Sequence, residues 1–377
     1  MKQKERIYYL DWLRVVAFGI LILFHSWQPF NNFGWLIKSD SKSFIADILT
    51  VFFHTWRLYL IFFISGVGTW ITLNANISSF LNNRILRLIV PFVFASIIIV
   101  PCQYFYQTLQ TFPNTSFINF ISHYPQSFLH KKFKYDIFLW ILEIGIHLWY
   151  LPSLFIMTLI LLPLLKRINA TGLSEVFLLR ITKHPSLVFL CSLPIILPII
   201  FLKPIFPEYT SLTDFLTYSC SFIYGFIFIK EYSRLVPIIQ KIKTPLLISS
   251  ILSSLLIISF LLNDDFVNAA FNPSYNIYHV IVCIPLGYSA FSWPLYFVSL
   301  FSQKFNFNMN ILPELNRSIL PIYILHQSLI VVGGYYIIKY FNNGFLEFIF
   351  IVLTTLIISV ILYFFIKKFK VTRFLFG

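Results

Sequence analysis

Ten long apolar runs, repeated between residue 8 and residue 367, fix the class of structure this chain can adopt. They cover roughly 8–30, 50–74, 85–107, 147–166, 186–204, 214–231, 244–263, 276–302, 316–341 and 345–367. About 20 apolar residues at 1.5 Å each cross the hydrocarbon core of a bilayer, so each run suffices for one helical span. A β-barrel would show short alternating segments instead. Composition agrees: only 11% of residues are charged, against about 25% in soluble domains, and the mean hydropathy is +0.80. The expected fold is an all-α membrane protein, a bundle of about ten transmembrane helices, multi-pass in the plasma (inner) membrane. The first run is too long for a cleaved signal and lacks a small-residue cleavage site, so it is expected to remain as a span. Residues 1–377 read as a single transmembrane domain with no appended soluble domain.

Charge sets the orientation. With the N-terminus in the cytoplasm, 19 Lys and Arg side chains fall on inner segments and seven on outer ones: Lys38, Lys42, Lys131, Lys132, Lys134, Lys203 and Lys339. That bias fits the positive-inside rule with both termini cytoplasmic. The net charge of +14 therefore belongs to membrane topology, and nucleic acid is not an expected partner. Two longer polar connections interrupt the pattern, an outer one at 108–146 with KKFK at 131–134, and an inner one at 167–185. Cys102, Cys191, Cys220 and Cys283 lie in or beside apolar runs without CxxC or His/Cys ligand spacing, so neither a disulfide framework nor a metal site is indicated. Pro194, Pro198, Pro285, Gly287 and Pro294 predict bends within spans.

The chemistry-bearing residues are the ionisable ones that these runs retain. The first run, YYLDWLRVVAFGILILFHSWQPF, carries Asp11, Arg14 and His25. Eleven helical residues separate Arg14 from His25, which places them within roughly 20° of one face and about 16 Å apart along the axis. Ionisable groups inside a membrane usually face a polar cavity; the plainer alternative is that Arg14 snorkels to one interface and His25 sits at the other. Asp11, one turn from Arg14, is placed to pair with it. His54 and Arg57 are spaced i,i+3, neighbours on one helical face. They read as lining of the same cavity as His25, with interfacial snorkelling as the alternative. Arg84 and Arg87 share that spacing at the start of the third span. They form either a cationic clamp for phosphate or ordinary cytoplasmic anchors. Glu143 and His147, i,i+4, would let a carboxylate orient an imidazole, although Trp149 and Tyr150 also mark an interfacial belt. His326 falls in mid-span, where an unpaired polar ring is costly. His279 reads as interfacial, and His123, His130 and His184 lie in loops.

Five stretches in order, YYLDWLRVVAFGILILFH, HTWRLYLIFFISG, RILR, HLWYLPSLFIM and LPIYILHQS, give the chain a resemblance over essentially its whole length. It resembles the acyltransferase-3 family of polytopic membrane acyltransferases. Within that family, the HxxR before FFISG and the IHLWYL stretch look most like the branch of OpgC/MdoC-type glucan succinyltransferases. The resemblance implies transfer of an acyl group, acetyl or succinyl above all, from cytoplasmic acyl-CoA to a carbohydrate hydroxyl on the outer, periplasmic side. The acceptor would be a glucan, a lipopolysaccharide or an exopolysaccharide. Carried over by motif, His25 is the catalytic base, Arg14 its basic partner, and Arg84 with Arg87 the donor-binding motif. Acyl-CoA is then a co-substrate, with no permanently bound cofactor.

Elementary chemistry fits that role. A sugar hydroxyl is a poor nucleophile and needs a base within hydrogen-bond reach as it attacks a thioester. Histidine suits, with a reference pKa of about 6.5. The developing oxyanion needs a cation or donors in a dry site. Arg14 is too far along its helix to provide them beside His25, which leaves Arg57 as a candidate. Direct transfer and a covalent acyl-enzyme both remain open. The competing classes are a transporter or flippase whose buried charges line a substrate path, and a membrane sensor using His25 and His326 as pH-responsive groups.

Overall fold

The structure is a computed structural model that describes residues 6–75, 78–129, 137–171, 173 and 175–377. Lys2, Lys4, His130 and the KKFK run lie outside these residues. Among the described residues there are helices and no strands. Ten are long and apolar enough to cross a membrane: Tyr8–Phe30, Phe44–Ala75, Phe80–Thr111, Ile141–Thr171, Pro185–Leu202, Leu212–Lys230, Lys243–Leu262, Ile277–Lys304, Leu312–Tyr340 and Gly344–Lys368. The protein is an all-α multi-pass membrane protein, as its apolar runs require. The connection at 108–146 contains two helices, Phe117–Leu129 and Ile137–Gly145, and the one at 167–185 contains Glu175–Lys183.

The chain divides into two compact units. Unit one comprises Met1–Ala17, Val51–Phe80 and Ile156–Asn316. Without a hydrophobic drive between helices in lipid, close packing depends on small residues. Here Gly66 of helix Arg57–Ala75 lies on the backbone of Phe222, and Gly225 of the sixth span lies on the backbone of Phe63. A Cβ at either position would overlap a carbonyl, so these two glycines set the interhelical distance. Phe62 and Tyr218 stack beside them at 4.8 Å. Serines join the seventh and eighth spans: Ser249 to Ser292 at 3.2 Å, and the Trp293 indole N–H to Ser254 at 3.0 Å.

Unit two comprises Phe18–Thr50, Leu81–Phe155 and Arg317–Gly377. Its segment after the first span is tied by a satisfied polar knot. Lys38 Nζ donates to the Gln28 carbonyl, Asn31 Oδ1 and the Phe33 carbonyl at 2.7–2.8 Å. Asp47 accepts from the Asn32 backbone and side chain at 2.7 Å, and Gln28 and Asn31 both donate to Thr50. Burial, then the nearby Lys42 charge, pull the Lys38 ammonium down to about 8, against the opposing pull of Asp47. A network with every member paired rigidifies what it surrounds, and this one fixes the chain beyond His25.

The second, third and fourth spans are interrupted beside residues singled out in the sequence. The second breaks at Thr55–Trp56, between helices Phe44–His54 and Arg57–Ala75. In the third, Pro91 has no N–H to give the Arg87 carbonyl, and a π-helical turn at Ile85–Ile89 precedes it. In the fourth, Ile146 takes φ 46° and His147 follows in a 3-10 turn at Ile146–Trp149. Left-handed backbone at a β-branched residue is strained and persists only where the surroundings enforce it.

Candidate active site

Unit two gathers three histidines from three spans. His25 lies near the end of helix Tyr8–Ser26, His147 in the 3-10 turn, and His326 in the middle of the ninth span. His326 is fully buried and His147 is 7% exposed, while His25 is half-buried. His25 Nδ1 and His326 Nε2 are 2.8 Å apart, with the rings 17° from parallel. The His147 ring stands edge-on to His326 at 5.2 Å between centroids.

The partners assign the protons. His326 Nδ1 lies 2.6 Å from the Tyr323 carbonyl, which can only accept, so Nδ1 carries a hydrogen. In the neutral ring Nε2 is then the acceptor, and the 2.8 Å contact requires His25 Nδ1 to donate. The lone pair of neutral His25 is consequently on Nε2. His147 follows the same logic: its Nε2 donates to the Ile324 carbonyl at 3.2 Å, and its Nδ1 accepts from the Gln103 amide at 3.4 Å. Gln103 is fixed in turn, donating to Ser328 Oγ at 2.8 Å and accepting from Gln327 at 3.1 Å. Tyr323 donates its hydroxyl to the His147 carbonyl, clamping the strained turn. With the rings neutral, the result is a directional shell around one imidazole that can take up a proton. Protonation of His25 at Nε2 leaves its Nδ1–H···His326 bond intact.

The other expected site residues are distributed differently. Asp11 pairs with Arg6, both nitrogens at 2.7 Å, rather than with Arg14. The Arg14 guanidinium runs to helix Arg57–Ala75 instead, where Gly68 leaves room: a Cβ there would stand 3.1 Å from Arg14 Nη2. His147 is oriented by Gln103 and the Ile324 carbonyl, not by Glu143, because the left-handed Ile146 breaks the helix on which an i,i+4 pair depends. Glu143 contributes its backbone carbonyl to the Tyr104 hydroxyl at 2.6 Å. His54 and Arg57 do not share a continuous helix. The break at Thr55–Trp56 leaves His54 exposed beside Tyr209 and Arg57 only 3% exposed, both in unit one. Arg84 ends one helix and Arg87 lies on the π turn, so their angular separation departs from the roughly 60° of an α-helical i,i+3 pair. Arg84 is half-buried and Arg87 exposed. His279, near the start of the eighth span, is buried, its ring against the Ile199 carbonyl at 3.2 Å and Cys283 Sγ at 3.4 Å. Among the described residues, no group of three His, Cys, Asp or Glu side chains has metal-binding geometry.

Sequence reasoning overlooked Gln103, Tyr323, Gln327 and Ser328. A glutamine inside the apolar stretch VPCQYF was the available signal, since an amide in hydrocarbon needs partners. Gly68 carried none.

Comparison with known proteins gives a consistent result. The acyltransferase-3 family model, described as an acyltransferase domain, matches residues 7–364. Proteins named Glucans biosynthesis protein C from Escherichia coli O81 (strain ED1a), strain SMS-3-5 and strain K12 are each 24% identical over 99% of this chain and 94% of their own length. No solved structure matches.

Proposed function

Because the chain belongs to the acyltransferase-3 family, we propose that it is a membrane O-acyltransferase that moves an acetyl or succinyl group from cytoplasmic acyl-CoA to a hydroxyl of a periplasmic glucan. The plasma (inner) membrane would hold it with both termini in the cytoplasm, the orientation favoured by the Lys/Arg bias. The glucan acceptor rests on the names of the Escherichia coli relatives. One observation carries the mechanism: the 2.8 Å contact from His25 Nδ1 to a carbonyl-anchored His326.

In the reaction, His25 Nε2 takes the proton of the sugar hydroxyl as that oxygen attacks the thioester carbonyl. The C–S bond then breaks, and the coenzyme A thiolate leaves with the proton that the imidazolium returns. His326 keeps the imidazole oriented through both steps, without changing its own protonation. This is the division of labour of a triad, with a neutral ring in place of the buried carboxylate. Arg84 and Arg87 are assigned to the phosphates of the donor. Arg14 is about 16 Å along the first helix from His25, so it acts on the donor arm rather than at the thioester carbon. No resident cofactor is required; acyl-CoA is consumed as a co-substrate.

The test is the full chain in nanodiscs, supplied with isotope-labelled acetyl- or succinyl-CoA and a glucan. The expected result is a labelled glucan ester by mass spectrometry. No ester with either donor, together with movement of glucan across vesicles, would replace the enzyme with a transporter.

A further inference from the structure

Two short helices of unit one present faces that the fold leaves uncovered. Glu175–Lys183 (EVFLLRITK) follows the fourth span, and Tyr232–Lys241 (YSRLVPIIQK) follows the sixth. Spans alternate in direction, so connections after even-numbered spans emerge on one membrane face. The two are also physically joined. Arg234 Nη1 meets Glu175 Oε1 at 2.8 Å, and Lys230 Nζ at the end of the sixth span donates to the carbonyls of Ile168 and Asn169.

The first helix has two distinct sides. At about 100° per residue, Leu178 and Ile181 share one side, and Val176, Leu179, Arg180 and Lys183 share the opposite one. Leu178 and Ile181 are buried, whereas Val176 is 58% exposed and Leu179 60% exposed, with Arg180 and Lys183 exposed beside them. On the second helix Ile238 and Ile239 are buried, and Arg234, Pro237 and Lys241 are exposed. Lys166 and Arg167, at the end of the fourth span, are exposed too.

We propose that these helices lie in the plane of the membrane as a platform docked on anionic phospholipid headgroups. The mixed character of the exposed side selects this occupant. Cations alone would suit any soluble phosphate, but Val176 and Leu179 on the same side need an apolar partner. Only the headgroup–acyl boundary supplies negative charge and hydrocarbon at one depth. The platform goes beyond the acyl-transfer reading and stands on residues that reading does not use.

Hydrogen exchange of the full chain in nanodiscs tests it, comparing pure phosphatidylcholine with a mixture containing one phosphatidylglycerol in every three lipids. Anionic lipid should slow exchange across 175–183 and 232–241 several-fold, with no change in helix Arg57–Ala75. High salt should reverse the effect, since screening shortens the reach of the cations. Arg180→Gln with Lys183→Gln should abolish the lipid difference, and an unchanged thermal midpoint would verify the fold. Leu179→Asp should speed exchange in both lipids. Equal exchange in the two compositions overturns the proposal. So does equal protection by free coenzyme A or inorganic phosphate in pure phosphatidylcholine, which would assign the patch to a soluble phosphate.

Discussion

The two ends of the first span handle their polar residues by different physics. At one end Arg14 is given room: Gly68 leaves out a Cβ where the guanidinium passes. At the other end His25 is held by direction, through His326 and its carbonyl anchor, with the His147, Gln103 and Ser328 shell alongside. A cation needs space and a counter-charge, and tolerates several poses. A general base needs one ring orientation and one tautomer, which only fixed hydrogen bonds provide. Substitutions at the two ends should therefore fail differently.

The largest effect is expected from His25→Ala, which removes the proposed base. Turnover should fall by about 10²- to 10⁴-fold, while acyl-CoA binding, measured by titration calorimetry, stays near wild type. His326→Ala comes next. With the acceptor for Nδ1–H gone, the His25 ring can rotate or switch tautomer, and kcat should fall by about 10²-fold. The donor KM should hardly move. His326→Gln restores an acceptor toward His25 and a donor toward the Tyr323 carbonyl, so it should recover part of that loss. Equal loss in Ala and Gln would mean that His326 only fills space.

Gly68→Ala probes the other end and should be milder. The new methyl is 3.1 Å from a flexible guanidinium, which can yield by a few tenths of an ångström. We expect a donor KM raised about three-fold, less than 1 kcal/mol, with kcat retained. A collapse of kcat here would erase the contrast between the ends.

The smallest effect concerns the knot beyond His25. The folded-state pKa of Lys38, about 8, lies below the value of about 10.4 in an unfolded chain. Between these values the unfolded state binds more protons, so stability rises with pH. The thermal midpoint of wild type relative to Lys38→Met should accordingly increase between pH 7.5 and 9.5, by a degree or so on the usual scale of weak, half-exposed groups. A decrease would reverse the sign assigned to Lys38.

How much of this could be read from the residues follows from the range of the forces involved. The spans were legible because bilayer thickness imposes a length, and each of the ten expected runs corresponds to a helix. His25 and His326 stood out because imidazoles in hydrocarbon are costly. Their partnership did not, since 301 residues separate them and only packing brings them together. Pairings inferred from helical spacing were the weakest. Glu143–His147 straddles a break, as does the one helical face expected for His54 and Arg57, and Asp11 found Arg6 outside the expected turn. Spacing rules presume a continuous helix, and the chain interrupts its helices beside His54, Arg57 and His147.

The central claim is that His25 is a neutral Nδ1–H imidazole whose basic lone pair is on Nε2. Nitrogen-15 NMR of histidine-labelled protein in nanodiscs measures this directly, with His25→Ala identifying the resonances. The account predicts an Nδ1–H tautomer for His25 at neutral pH, and its loss in His326→Ala. An Nε2–H tautomer in the wild type, or one unaffected by removing His326, would contradict it.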